Sequence, residues 1–257
     1  MLKFEIMKKS TKSLALIISV LLFSAMFVIG FDACKKDPSP DPTPTPQEPW
    51  SPDPVNGQVP ESVIPTELKD VISESFTIYS GDNPVQVRGE FVSHPHVLMV
   101  TSLDTTYHYP DSIIYYNDRY ICFERANNGN LNFYGKQWDD DYNAYYEEVY
   151  RNLNSVGEGD NFTCYFLTEG YPNGMYALQS TIFSGKWNES YGGLRDFQVA
   201  VILLENSGNP NLAPKNSYRV LGDGDGLAQD TAWMAKSSFN HDVKVSDEDA
   251  FRMFRVK

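Results

Sequence analysis

Chemistry-bearing side chains are what this chain has least of. Three cysteines and four histidines are spread over 257 residues, and lysine plus arginine number 21 against 34 acidic residues, for a formal charge of −13. Each shortage closes a class of function. A chain this acidic lacks the clustered cations that neutralise a phosphate backbone, so nucleic acid is excluded as a partner. His94 and His96, with His108 further on, do not complete the ligand array of a zinc site. There is no Gly-x-Ser-x-Gly elbow, no His-Glu-x-x-His, no Cys-x-x-Cys and no Gly-x-x-x-x-Gly-Lys loop. That removes the motif-borne nucleophilic, metallohydrolase, dithiol and phosphate-loop chemistries. A glycosidase-type carboxylate pair has no linear signature and stays open as the least favoured reading. No cofactor is implied, and the chain is expected not to be an enzyme.

Long amphipathic helices are missing too. One short helix is expected, with Thr66 capping Glu67–Ser75 and Leu68, Val71, Ile72 and Phe76 at helical spacing. Everything after it reads as strand: Val85–Val92, His96–Thr101, Tyr120–Arg125, Leu131–Tyr134, Tyr145–Tyr150, Asn161–Thr168, Met175–Phe183, Arg195–Leu204, Ser217–Leu221 and Phe251–Val256. These runs are rich in Tyr, Phe, Val and Ile, alternate in polarity, and are parted by Asn, Gly, Asp and Pro clusters. Without helices between them, parallel βαβ units are excluded. Hairpin-linked strands in this number must hide their edges. The expected fold is therefore all-β, an antiparallel barrel of 8–10 strands with a short N-terminal helix; the alternative is a β-sandwich.

What the chain does have is an ordered set of N-terminal signals. Lys3, Lys8, Lys9 and Lys12 precede an uncharged run from Ser13 to Phe31, which leads into Phe31-Asp32-Ala33-Cys34. Basic residues, an apolar stretch and a small residue before a cysteine describe a secretory signal over 1–33, cleaved to leave Cys34 as a lipid-modified first residue. The run is also about as long as a membrane-spanning helix, so an uncleaved anchor is the alternative. Residues 34–60 are the expected tether, with nine prolines from Pro38 to Pro60 favouring extended polyproline II. A single β-rich domain is expected over 61–257. Residues 1–33 hold four lysines and two acids, so their loss deepens the formal charge from −13 to −15. Such a charge suits neutral ligands, cations or basic partners.

Particular strings carry two resemblances. Gly89-Glu-Phe91 is similar to the Gly-x-Trp signature of the lipocalins, with Phe in place of Trp, which implies an up-and-down barrel. Ile78-Tyr-Ser-Gly81, Asn161-Phe-Thr163, Thr168-Glu-Gly170 and Asp223-Gly-Asp-Gly-Leu-Ala228, spread between Ile64 and Asp230, resemble a group of Bacteroidetes lipoproteins. That resemblance implies an address in the cell envelope as an outer-membrane lipoprotein, and lends no activity. Lys35-Lys36-Asp37 after Cys34 resembles, in a less acidic form, the patch that sends some such lipoproteins to the cell surface.

Four sets of residues are candidates for chemistry. Trp138, Tyr142 and Tyr145 interleave with carboxylates in Trp138-Asp-Asp-Asp-Tyr142 and Tyr145-Tyr-Glu-Glu148; a sugar stacks on a ring while its hydroxyls donate to carboxylates. Asp223, Asp225 and Asp230, around Gly222-Asp-Gly-Asp-Gly226, are candidate calcium ligands, although the pattern lacks the terminal bidentate Glu and reads first as a Gly-rich hairpin loop. Thr105, Ser112 and Thr231 sit in Asp-Ser/Thr tripeptides of the kind that Bacteroidetes O-glycosylate. Cys122 and Cys164 lie in strand-like runs, either as separate buried thiols or as a disulfide. The leading expectation is a lipid-anchored binding module for a small apolar molecule or a glycan, with an envelope protein as the alternative partner.

Overall fold

Period-two alternation closes into a ring. A computed structural model of the protein describes residues 49–103, 113–126, 129–140, 143–232 and 246–255. Its strands are β1 (Asp82–Asn83), β2 (Gly89–Ser93), β3 (His96–Thr101), β4 (Tyr115–Tyr116), β5 (Arg119–Arg125) and β6 (Leu131–Asp139), then β7 (Ala144–Glu158), β8 (Asn161–Gly170), β9 (Ala177–Trp187), β10 (Gly193–Glu205), β11 (Tyr218–Asp223) and β12 (Leu227–Asp230). Eight of them, β2-β5-β6-β7-β8-β9-β10-β12, pair in that order, and β12 returns to β2. The result is a closed antiparallel barrel, which decides against the sandwich. β1 pairs parallel to β7 outside the ring.

The wall forks at one strand. β10 pairs through Gly193–Arg195 with β12 and through Gln198–Ile202 with β11, and β3 and β4 continue outward from β11. β11 and β12 thus run along the same edge of β10 with Gly224–Gly226 bulged out between them. This corrects the expected hairpin loop: the Gly-rich segment interrupts a strand line without reversing it, because Leu227–Asp230 also finds a pairing edge. Closure needs a bare backbone at Gly193, where a Cβ would lie 2.2 Å from the Ala228 carbonyl oxygen. The barrel therefore has a seam end, where β10 starts beside β12, and a mouth, where β6 turns into β7 and β10 finishes.

Both faces of half the wall are buried. Facing inward are Phe91, Phe123, Phe133, Phe162, Phe166, Phe183 and Phe197, each at most 1% exposed. Facing outward from β8 to β11 are Tyr165, Leu167, Ile182, Ala200, Ile202 and Val220, which the N-terminal segment covers. The short helix α1 (Thr66–Ser73) contributes Ile72 to that cover, and Val59, Val63, Ile64 and Phe76 complete it. Runs such as Phe162–Thr168 are apolar on both sides for this reason.

Three expectations change. Residues 49–60, read as tether, lie against the wall: Trp50 and Leu167 exchange backbone hydrogen bonds of 3.0 and 2.7 Å, and the Asn154 amide donates to the Ser51 and Pro52 carbonyls. Thr66 lies inside α1 behind Pro65 and makes no capping bond; its hydroxyl turns to Glu61. Phe251–Val256 is not a strand. Asp247–Ala250 forms the helix α2, followed by a 3-10 turn at Arg252–Phe254. Phe251 and Phe254 are both wholly buried, and a spacing of three matches that turn. The signal, Cys34 and the first part of the tether lie outside the described residues.

Candidate functional site

Alternation along β5, β6 and β7 gives this side of the barrel two different surfaces. Ile121, Phe123 and Phe133 point inward, so Tyr120, Lys136, Trp138 and Tyr145 point outward, with Tyr120 opposite Lys136 and Trp138 opposite Tyr145. The Trp138 and Tyr145 rings meet edge to face at 5.2 Å. The Lys136 ammonium lies 5.3 Å from the Tyr120 ring and 5.0 Å from the Tyr145 ring. Tyr145 is 52% exposed. The structure therefore brings two of the expected aromatic residues together and adds Tyr120 and Lys136, which cross-strand spacing alone makes neighbours. Tyr142 lies outside the described residues. The carboxylates do not all share this face. Asp139 pairs at 2.7 Å with Arg252 at the mouth, and Asp140 accepts a 2.8 Å bond from the Asn117 amide.

Inside the mouth the lining is polar. Arg119 and Glu148 form a 2.7 Å ion pair with side chains only 5% and 9% exposed, and the guanidinium stands 6.0 and 5.9 Å from the Phe133 and Phe183 rings. Burial raises the hydroxyl pKa of Tyr146 and of Tyr150, and the two are hydrogen-bonded to each other. Thr168, Gln179 and Thr181 continue the inward lining on β8 and β9, all buried. His96, on β3, is wholly buried; Ser93 Oγ lies 3.1 Å from its Nδ1. Burial first, and then the Arg119 charge, hold its pKa down at about 3, so the imidazole is neutral at every ordinary pH. Of this set only His96 stood out in the sequence, as part of an incomplete zinc array, because the members come from six strands far apart along the chain.

The acidic loop does other work. Asp223 Oδ1 accepts from the Asp225 and Leu227 backbone amides, and Oδ2 accepts from the His94 amide. Burial pushes the Asp223 carboxyl up to about 6, and its bond to Asp225 holds Asp225 down. Below about pH 6 the pair therefore shares a proton, held on Asp223. Asp230 lies on β12 at the seam, with its amide bonded to the Gly192 carbonyl. The three expected calcium ligands do not converge, and no group of His, Cys, Asp or Glu able to hold a metal forms among the described residues. The carboxylate oxygens of Asp223 and Asp225 instead fix the bulge in the wall.

The remaining candidates separate. Thr231 is half-buried just past β12, where its amide bonds the Glu90 carbonyl at 2.9 Å; Thr105 and Ser112 lie outside the described residues. Cys122 and Cys164 are free and buried. Cys164 belongs to the inner core while Cys122 alternates to the outer face. Burial raises both thiols, that of Cys122 to about 12, so neither is a nucleophile at neutral pH. No helix among the described residues is long and apolar enough to cross a membrane. No protein-family model, curated protein or solved structure matches this chain.

Proposed function

We propose that this protein is a non-catalytic glycan-binding module, tethered to the outer membrane through a lipid on Cys34. The observation that carries the reading is the outward corner of Trp138 and Tyr145, 5.2 Å apart, with the Lys136 ammonium 5.0 Å from Tyr145. Two rings at 79° offer a sugar one stacking face and one edge. Lysine at their foot supplies donors to ring hydroxyls or to an acidic sugar. The packing of seven phenylalanines within the barrel weighs against an apolar guest at the seam end, which moves the expected ligand to the outer wall. Free thiols of raised pKa and a buried, neutral His96 likewise favour binding over nucleophilic catalysis.

The test is a thermal-shift screen of the mature chain from residue 34, bearing Cys34→Ser, against neutral and acidic glycans. A ligand that binds only the folded state raises Tm by an amount that grows with the logarithm of its concentration over Kd. A saturable shift with one glycan class, lost in Tyr145→Ala, supports the reading. Shifts that survive both Trp138→Ala and Tyr145→Ala, or silence across the panel, overturn it and turn attention to an envelope protein as partner. The anchor is tested separately, by the expected loss of labelled palmitate from Cys34→Ser in the full chain.

A further inference from the structure

The mouth of the barrel is filled by the chain's own C-terminal segment, and the fit has the character of a ligand in a site. The Arg252 guanidinium lies 3.5 Å from the centre of the Tyr146 ring and 2.7 Å from Asp139. Phe251 and Phe254 flank it, both wholly buried in the inner core cluster. The Phe254 carbonyl accepts from the Ala213 amide at 2.7 Å, and Arg255 bridges Leu212. A cation on a ring face, held by a carboxylate and set between two apolar anchors, is how an arginine-bearing peptide is recognised.

Two further observations separate this segment from the barrel proper. The last strand ends at the seam, with Asp230 paired to Phe91, whereas the helix that Ser246 caps, sixteen residues on, packs at the mouth end of β8. The segment therefore continues no strand of the wall. It also covers a polar lining with apolar groups. Thr168 and Gln179 face inward at the β8–β9 end that α2 touches. Thr168 Oγ1 and Gln179 Oε1 are buried without a hydrogen-bond partner, and so is Arg119 Nε deeper in the same lining. Thr168, Gln179 and Arg119 are each more than nine-tenths buried. A buried polar atom left unpaired costs free energy that an occupant with backbone amides and carbonyls at that depth would recover.

We propose that the barrel mouth is a socket for an arginine-bearing peptide, and that Phe251-Arg252-Met253-Phe254 is its resident occupant in cis. Asp139 and Tyr146 hold the guanidinium, and Thr168 and Gln179 bond the backbone of an incoming segment that displaces the resident one. The formal charge of −15 on the mature chain draws cationic peptides toward it. The socket lies on the inner side of the wall and the Trp138–Tyr145 corner on the outer, so this proposal stands apart from glycan binding.

The experiment titrates a fluorescein-labelled peptide of residues 246–257 into the intact mature chain. In the Arg252→Ala chain the resident segment is weakened, and a competing state that blocks a site lowers apparent affinity by the fraction of time it is in place. The peptide is expected to bind the Arg252→Ala chain at least tenfold more tightly than the wild type. Asp139→Asn in the same chain, or alanine in place of arginine in the peptide, should reverse that gain. Equal affinity for both chains, or binding indifferent to Asp139→Asn, overturns the proposal. A second measurement needs no variant. Excess unlabelled peptide added to the wild-type chain should speed amide exchange in residues 246–255 and leave the barrel strands unchanged; unaltered exchange there also overturns it.

Discussion

The two ends of the lumen are built from the same strands and obey opposite rules. Toward the seam the inward positions of β2, β5, β8 and β10 are Phe91, Phe123, Phe162 and Leu194. Toward the mouth the same alternation delivers Arg119, Glu148, Tyr146, Thr168 and Gln179, with several buried atoms left unpaired. The seam end is what a barrel needs in order to fold: rings in contact, with Phe183 meeting Phe133 at 4.2 Å, Phe123 at 6.0 Å, Phe166 at 6.1 Å and Phe197 at 6.3 Å. The mouth is more polar than folding requires. Buried ion pairs are seldom the stablest filling for a core, so a strand that carries Phe123 at one end and Arg119 at the other fits the proposed division between an end built for folding and an end built for binding.

Breaking the apolar end should cost most. Phe183→Ala removes the ring that four others touch, and large-to-small changes of this kind cost about 3–5 kcal/mol; chemical denaturation should place it at the top of that range. Glu148→Ala should follow closely, at about 3–4 kcal/mol, because it leaves the Arg119 guanidinium buried beside two phenyl rings without its carboxylate. The sharper experiment replaces both partners. Arg119→Met with Glu148→Leu should return stability to within about 1 kcal/mol of wild type or above it. A double variant as unstable as Glu148→Ala would mean that the pair serves the fold, and the contrast between the two ends would fail.

How much of this was readable beforehand follows the range of each interaction. The period-two pattern over Asn161–Thr168 and Arg195–Leu204 is local, so those strands appear close to their observed bounds, Asn161–Gly170 and Gly193–Glu205. Closure was legible as a need to hide edges, whereas its seam was not, because Leu227–Asp230 is four residues long and takes its conformation from β10 and β2. The Trp138–Tyr145 corner was visible in composition, since rings close in sequence on two paired antiparallel strands become neighbours. The socket was invisible. Asp139 and Arg252 are 113 residues apart, and Phe251-Arg-Met-Phe254 has the look of a strand until the barrel supplies a mouth for it. In Pro49–Pro60 the prolines spoke for a tether, but β8, whose pairing with β7 stops at Tyr165, offered Trp50 an edge at Leu167 and overrode them.

His96 offers a way to sharpen the comparison through pH. Its folded pKa of about 3 lies below the usual histidine range near 6.5. The unfolded chain therefore binds a proton that the folded chain refuses, and the stabilisation present above pH 6.5 is lost as pH falls toward 3. One pKa unit corresponds to about 1.4 kcal/mol, so between pH 6.5 and 4.5 the loss amounts to roughly 2–3 kcal/mol. Asp223 runs the other way. With its pKa raised to about 6, its contribution is present at low pH and lost as pH rises through that value. The difference between wild type and His96→Gln, measured by denaturation at several pH values, isolates the histidine. A difference that stays flat from pH 7 to 4.5 would mean that the imidazole takes up its proton in the folded state. The inner wall beside Arg119 would then be wetter than the geometry implies.

The smallest effect on stability should accompany the largest on binding. Trp138→Ala deletes one half of an edge-to-face pair on the outer wall and touches none of the inward rings, so it should cost no more than about 1 kcal/mol. Seven phenylalanines hold the inside of the barrel whether or not the outer corner is intact. A glycan stacked on that corner should nevertheless lose most of its affinity, because a small binding surface concentrates its binding energy in one or two rings. Tyr120→Ala supplies the control: it leaves the Trp138–Tyr145 pair in place and removes only one of the two rings beside Lys136. If Tyr120→Ala weakens glycan binding as much as Trp138→Ala does, the recognition element is the lysine and not the corner. The ligand would then be sought among acidic glycans. If Trp138→Ala alone abolishes binding, stacking carries the recognition, and the outer wall of β6 and β7 is specialised for binding as fully as the seam end is specialised for folding.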